Sequence, residues 1–211
     1  MNTTETHAVH GAPTESTLSG IAGGSIAEGV GAIAAIALAI IGLAGILIND
    51  MAAVATIVIG AVILMEGGLA GLAYRRLPSQ GASERQTREL GGGVTAEFFG
   101  GLAGIVLGIL GLFQPMPDTL LAVAVLVFGA TLLLGGGAVS HLIWPVQIQI
   151  QAQTQEAPGT VLAVGAGGHM LVGLATVVLG ILAIIGLFPM TLILVGLLSL
   201  GASALFQRLG R

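Results

Sequence analysis

The sequence contains no cysteine and no lysine, and charged residues of any kind are scarce. Only 8% of its 211 residues are charged, against about a quarter in an average soluble domain. Without cysteine there are no disulfides, no thiolate chemistry and no cysteine-ligated zinc or iron–sulfur cluster. Six basic residues against ten acids give a net charge of −4, which makes nucleic acid a poor partner because its phosphates attract basic surfaces. These absences exclude a water-soluble globule.

Long apolar runs take the place of the missing charge. Hydrophobic residues make up 55% of the chain, and the mean hydropathy is +1.03. A bilayer core about 30 Å thick is crossed by about 20 helical residues at 1.5 Å per residue. Six runs have this length, and we predict an all-α integral membrane protein with six transmembrane helices at 26–48, 51–73, 93–113, 119–142, 161–187 and 191–207.

The six runs fall into three pairs, each joined by a very short connection. The connections are Asn49-Asp50, residues 114–118 and residues 188–190, where proline or Asx residues favour turns. Each pair is therefore predicted to be a helical hairpin. The predicted organisation is a polar tail (1–24), hairpin one (25–74), a cytoplasmic loop (75–92), hairpin two (93–142), a second cytoplasmic loop (143–160), and hairpin three with the C-terminus (161–211).

The arginines indicate how the hairpins are oriented. With six spans, the termini and both long loops share one side of the membrane. All six arginines fall on that side, and none falls in a tight turn. Because short loops rich in arginine stay in the cytoplasm, we expect both termini to be cytoplasmic and the protein to lie in a bacterial-type inner membrane.

An internal repeat relates the three hairpins. Offsets of 69 and then 72 residues bring them into register, with eight identities in the 17 positions from 28 to 44 when compared with 97 to 113. The same offsets align Gly60-Ala61 with Gly129-Ala130 and Gly201-Ala202. We therefore predict one hairpin used three times in the same orientation.

The second hairpin carries the resemblance to a known family. It reads GLAGIVLGILGLFQPMPDTLLAVAVLVFGATLLLGGG, which resembles the short repeat of the HdeD-like (domain of unknown function 308) membrane proteins, and the resemblance extends over residues 25 to 208. It implies a six-helix inner-membrane protein associated with acid or stress tolerance, and it brings no catalytic residues. Hairpin one departs from the pattern because its connection has no proline, and the chain lacks the basic loops expected of that family.

A stripe of small residues follows the first helix of each hairpin. Gly100, Gly104 and Gly108 recur at four-residue spacing and so share one helix face. Between helices in lipid, such residues allow close backbone approach. The stripe is either an interface between copies or packing within one chain; its main residues in the other hairpins are Gly31, Ala35 and Gly180.

Ionisable residues inside a membrane are functional candidates. Glu28, Glu97 and His169 occupy equivalent repeat positions and would form a proton-responsive ring if the hairpins surround an axis. The alternative for Glu28 is a capping box, Ser25-x-x-Glu28, at the start of a helix. Glu66 lies deeper, roughly 12 Å from the interface at 1.5 Å per residue, where it has either a transport role or a structural one.

The second long loop alternates strictly between apolar residues and glutamine. This period of two is typical of a half-buried strand, and a lone strand has unpaired edges that can add to a partner's sheet. We predict a short cytoplasmic strand that binds a partner, with an extended linker as the alternative. The pattern runs over 146–155 and begins Val146, Gln147, Ile148, Gln149, Ile150, Gln151.

No arrangement of residues in the sequence is typical of a catalytic, cofactor or metal site. The sequence therefore favours a non-enzymatic membrane scaffold or accessory subunit, lying in the lipid bilayer as a homo-oligomer or as part of a membrane complex. The alternative is a small proton-linked transporter or an acid- or stress-tolerance protein, which would use the intramembrane acids.

Overall fold

The fold was examined in a computed structural model that describes residues 15–74, 84–113, 116–135 and 160–209, with side chains described within 26–68, 95–113, 116–135 and 170–206. These ranges are helical apart from short turns, so the prediction of an all-α protein is confirmed for them. Six helices occur in chain order: α1 (Glu15–Leu43), α2 (Ile48–Tyr74), α3 (Glu84–Phe113), α4 (Pro117–Gly135), α5 (Thr160–Ile184) and α6 (Pro189–Leu209).

Five helices contain an apolar stretch long enough to cross a membrane, which confirms the prediction of membrane-spanning helices. In α5 the described apolar stretch, Met170–Ile184, is shorter. The predicted glutamine-rich strand at 146–155 lies outside the described residues. The five spanning stretches are Ile26–Leu43, Ile48–Gly68, Thr95–Phe113, Pro117–Gly135 and Pro189–Phe206.

Two helices begin earlier than the apolar runs indicate. The tail was expected to reach residue 24 and the first loop residue 92, but α1 begins at Glu15 and α3 at Glu84. Hydropathy marks the part of a helix that lies in lipid and is silent about a polar extension of the same helix. Both extensions start with a glutamate, which the positive end of the helix dipole favours.

The turn of hairpin one differs in place from the prediction. Helix α1 ends at Leu43, and Gly45 takes the left-handed backbone conformation with φ +88°. The amide of Gly45 donates to the carbonyl of Gly42 (3.0 Å), and the amide of Ile46 donates to that of Ile41 (3.3 Å), the pattern of a Schellman motif. The predicted connection, Asn49-Asp50, was wrong: it lies in the first turn of α2, where an acid is favoured by the helix dipole.

The turn of hairpin three repeats this geometry 141 residues further along the chain, which is the combined repeat offset. Gly186 has φ +91°, and its amide donates to the carbonyl of Ala183 at 3.1 Å. The amide of Leu187 donates to the carbonyl of Leu182 at 3.2 Å. Glycine fits both turns because its lack of Cβ removes the steric cost of a positive φ.

The six helices form a closed ring with an inner and an outer layer. Each helix packs against its neighbours along the chain, and α1 also packs against α6, which closes the ring. The second helices of the hairpins, α2, α4 and α6, contact one another in the centre. The first helices, α1, α3 and α5, therefore form the outer layer, and most of the exposed large apolar side chains lie on them or at the turns.

The core consists of side chains from the three inner helices at equivalent repeat positions. Ile59, Phe128 and Leu200 form one such set, and each is at most 4% exposed. The hydroxyl of the buried Thr56 donates to the carbonyl of Ala52 at 2.7 Å, so the polar group is satisfied inside its own helix. Two further sets are buried in the same way: Ala52, Leu121 and Ile193, and Thr56, Val125 and Leu197.

Candidate functional site

The repeated Gly-Ala pairs lie where one hairpin touches the next. Gly60 on α2 faces α3 so closely that a methyl group at Gly60 would lie 2.8 Å from the carbonyl oxygen of Gly101 and 2.8 Å from the amide nitrogen of Ile105. Both atoms belong to the backbone, which cannot rotate away as a side chain can. Hairpins one and two are therefore joined by direct backbone contact, which only glycine at this position allows.

The other two hairpin contacts repeat this geometry. A methyl group at Gly129 on α4 would lie 2.8 Å from the carbonyl oxygen of Gly173 and 2.7 Å from the amide nitrogen of Val177 on α5. A methyl group at Gly201 on α6 would lie 2.9 Å from Ile36 on α1 and 3.2 Å from the carbonyl oxygen of Ala32. The partner residues are related by the same offsets as the glycines. We call these three contacts the hairpin seams; the third one closes the ring.

The small-residue stripe of α3 serves two neighbouring helices of the same chain. Gly100 faces Thr131 and Gly104 faces Phe128, both on α4. Gly108 instead faces α2, where a methyl group would lie 3.0 Å from the carbonyl oxygen of Ala53. The stripe thus separates into a contact within hairpin two and a contact across the seam to hairpin one.

The equivalent small residues of the other hairpins are also occupied by the chain itself. A methyl group at Gly31 would lie 2.6 Å from a methyl of Val62 on α2, and one at Gly180 would lie 3.0 Å from Leu126 on α4. Ala35 is fully buried. With these contacts in place, a second copy has no access to the stripe.

A small cavity lies between the inner helices in the half of the bundle away from the turns. The volume open to the centre of a water molecule is about 20 Å³, enough for about one water. Glu66 on α2 and Ser203 on α6 supply the polar side chains of its lining, and each takes part in a polar interaction. The remaining lining is apolar: Ile59, Val62, Ile63, Leu132, Leu200 and Ala204.

The apolar core closes this cavity on the side of the turns. Ile59 and Leu200 belong both to the cavity lining and to the buried set completed by Phe128. Beyond that set, Thr56 is a buried polar residue on the inner helices, and its hydroxyl is bonded to its own helix. The described core thus offers a carboxyl and a hydroxyl at one end, and an apolar barrier behind them.

Glu97 lies at the junction of α2, α3 and α4. A methyl group at Gly67 would lie 2.9 Å from its Cβ, and one at Gly135 would lie 3.3 Å from its carboxyl carbon. Two glycines therefore make room for this carboxyl between the helices. The repeat offset places Glu66 at the position equivalent to Gly135, so hairpin one has a carboxyl where hairpin two has the space for one.

Glu28 is buried at the repeat position equivalent to Glu97, with only 8% of its surface exposed. The capping interpretation was wrong, because α1 begins at Glu15 and both Ser25 and Glu28 lie in the helix interior. The side chain of His169 lies outside the described residues, so the predicted ring of Glu28, Glu97 and His169 is described only in part. The predicted strand residues Val146 to Gln151 lie outside as well.

Within the described side chains, no group of three or more His, Asp or Glu residues is placed to hold a metal ion. The sequence pointed to Glu66 as a deep acid but gave no sign of the cavity, because Ser203 approaches it from a helix more than 130 residues away. The seam role of the Gly-Ala pairs was also missed; their recurrence at the repeat offsets was the available signal.

Searches against protein-family models, curated proteins and solved structures found no match for this chain.

Proposed function

We propose that the protein is a non-enzymatic membrane scaffold or accessory subunit. The observation that carries the proposal is the closed ring of helices around an apolar core, in which Ile59, Phe128 and Leu200 fill the centre. A transport path needs polar groups or water along the bundle, whereas this core has tight apolar packing. A rigid bundle without such a path is suited to holding partners in the membrane.

The proposed arrangement has six spans, with α5 as the sixth, and both termini in the cytoplasm of a cell with a bacterial-type inner membrane. Its support is the closed ring, in which α5 packs between α4 and α6 as α3 packs between α2 and α4. The placement of all arginines away from the turn regions supports the orientation.

The proposed threefold repeat rests on two sets of contacts. The turn hydrogen bonds of hairpin one recur in hairpin three at the combined offset. The three seams recur at both offsets and run in a cycle from hairpin one to two, two to three and three to one. A row of hairpins would leave the last of these contacts unmade.

The outer helices offer surfaces for lipid and for protein partners. Val30, Phe99 and Leu171 are exposed apolar residues at equivalent repeat positions, so the ring presents the same apolar face three times. In the proposed function these faces contact bilayer lipid, further copies of the chain or other subunits. The alternating segment 146–155 supplies a strand for a partner on the cytoplasmic side.

The mass of the particle extracted in a mild detergent tests this proposal. We expect a homo-oligomer or a complex with co-purifying subunits. Deleting 146–155 should reduce the mass while the helical circular dichroism persists, and a glycine–serine segment of equal length is the matched control for spacing. A monodisperse monomer, or a complex unchanged by the deletion, would contradict the proposal.

A small proton-linked transporter, or an acid- or stress-tolerance protein as the HdeD-like resemblance implies, is the second candidate. The observation that favours it is the water-sized cavity lined by Glu66 and Ser203. On this reading, Glu66→Gln should abolish pH-dependent flux or acid survival while expression persists, and Ser203→Ala should weaken it. The scaffold proposal predicts that Glu66→Gln leaves both unchanged, so proteoliposome flux and survival assays separate the two candidates.

A further inference from the structure

The three hairpin turns carry large apolar residues at one equivalent position. Leu47, Met116 and Phe188 are related by the repeat offsets, and each directly precedes an inner helix. Their side chains are 62%, 78% and 80% exposed. We call these three residues the turn tips. They place an apolar side chain at the end of every hairpin, at the same end of the bundle.

Backbone geometry does not explain the choice of these residues. Leu47 and Phe188 have φ values of 45° and 42°, a conformation in which glycine, asparagine or aspartate is the usual choice. Large apolar side chains at such positions are unfavourable for the backbone, and in water they would be unfavourable for solvation as well. Their recurrence on all three turns therefore indicates an apolar environment outside the protein.

The lengths of the helices place the tips at the edge of the hydrocarbon. The apolar stretch Pro117–Gly135 has 19 residues, which span about 28 Å at 1.5 Å per residue against a core of about 30 Å. The tips also continue the exposed apolar surface of the outer helices, through Phe113 beside Met116 and Leu187 beside Phe188. The hairpins thus end within the membrane boundary rather than in loops beyond it.

Two acids near the tips fit the same location. Asp50 and Asp118 lie in the first turns of α2 and α4. Asp50 follows Leu47 by three residues, about 4.5 Å along a helix, and the interfacial layer on each side of the core is roughly 5 to 7 Å thick. The carboxylates therefore reach the hydrated headgroups while the tips contact acyl chains.

We propose that the turn tips insert into the boundary between headgroups and acyl chains of the phospholipid leaflet on the turn side. A second copy is the other occupant of suitable apolar character. Two copies meeting tip to tip around a twofold axis would use the same surface on both sides, and would bring Asp50 and Asp118 against acids of the other copy, a repulsive arrangement. The lipid leaflet meets no such opposition. The inference holds for either candidate function.

Single-cysteine labelling tests the proposal, since the chain has no cysteine of its own. Leu47→Cys, Met116→Cys and Phe188→Cys are reconstituted separately into phosphatidylcholine vesicles, with circular dichroism as the check of folding. A membrane-impermeant maleimide is admitted to both sides by freeze–thaw. Val106→Cys, on the exposed face of α3 inside a spanning stretch, is the control in lipid, and Ser79→Cys, in the polar connection after α2, is the aqueous control.

We expect the tip cysteines to react about tenfold more slowly than the cysteine at position 79, since only the thiolate reacts and apolar surroundings disfavour it. A bimane attached to each tip should be quenched by lipids that carry a nitroxide near the glycerol end of the acyl chain. Reaction as fast as at position 79 would overturn the proposal. So would disulfide-linked dimers through equal positions, which would identify a second copy, or protection from both maleimide and lipid quencher.

Discussion

At the residue scale, the inner helices approach their neighbours through single glycines. Gly60 and Gly129 face backbone atoms of the next hairpin, whereas the nearest atom to Gly201 belongs to the side chain of Ile36. A backbone neighbour can yield only if a whole helix moves. The seams of Gly60 and Gly129 are therefore less tolerant of an added methyl group than the seam that closes the ring.

Gly60→Ala should destabilise the protein by about 1 to 3 kcal/mol, the usual cost of overpacking a well-filled interior. Gly68, in the same helix, has open space around it, so Gly68→Ala is the matched control and should be neutral or stabilising by up to about 1 kcal/mol through helix propensity. Unfolding of the two variants in mixed micelles of increasing SDS fraction measures the difference. Equal stabilities for the two variants would contradict the seam.

The sequence indicated some of these residues and left others unmarked. The offsets aligned the three Gly-Ala pairs without revealing their partners, because a repeat states equivalence and not contact. The stripe of Gly100, Gly104 and Gly108 was recognisable, but its division between α4 and α2 depends on where two other helices lie. Similarly, the sequence marked Glu66 as a deep acid, while the position of Ser203 followed only from the closed ring.

At the scale of the elements, the hairpins turn through a glycine that ends the first helix. Gly45 and Gly186 have positive φ values and no atoms of other residues within 4 Å of an added Cβ. A substitution there acts through backbone conformation alone. The same motif in hairpins one and three brings the second helix back against the first after four residues outside the helices, so the seam glycines on α2 and α6 come into register.

Gly45→Ala should lower the stability by about 1 to 2 kcal/mol, the cost of the left-handed conformation for a residue with a Cβ. Gly45→Asn should cost less, because asparagine tolerates this conformation better. Thermal unfolding followed by circular dichroism in detergent measures both. An alanine variant as stable as the wild type would show that the turn has another conformation.

Hydropathy predicted the apolar helices well because the bilayer imposes it on the sequence. It could not predict that α1 and α3 begin at Glu15 and Glu84, since water tolerates helix and coil alike and composition does not distinguish them. The turn at Gly45 was missed for a related reason. Asn49 and Asp50 are common in turns, but an acid is equally suited to the first turn of a helix.

At the scale of the whole molecule, the seams determine whether the hairpins form a row or a ring. Two seams join neighbours along the chain, and the third joins α6 to α1. Only the third requires the ends of the chain to meet, and no local pattern in the sequence specifies that. Closure also gives the inner helices their common apolar core, on which the proposed absence of a transport path rests.

Disulfide formation between α1 and α6 tests ring closure most directly. Ile36→Cys with Gly201→Cys is the test pair, because a methyl group at Gly201 would lie 2.9 Å from Cγ1 of Ile36 and bridged Cβ atoms lie about 3.5 to 4.5 Å apart. Ile105→Cys with Gly60→Cys, on the seam between hairpins one and two, is the positive control. Ile36→Cys with Gly129→Cys pairs residues of different seams and is the negative control.

Trypsin cleaves after the arginines at 75, 76, 85 and 88, which separates positions 36 and 60 from their partner positions in every pair. After mild oxidation in the membrane, the account predicts that the 36–201 and 105–60 pairs keep the two fragments covalently joined until a reductant is added, whereas the 36–129 pair does not. Fragments joined by the 105–60 pair but released in the 36–201 pair would show an open row of hairpins and contradict the closed ring.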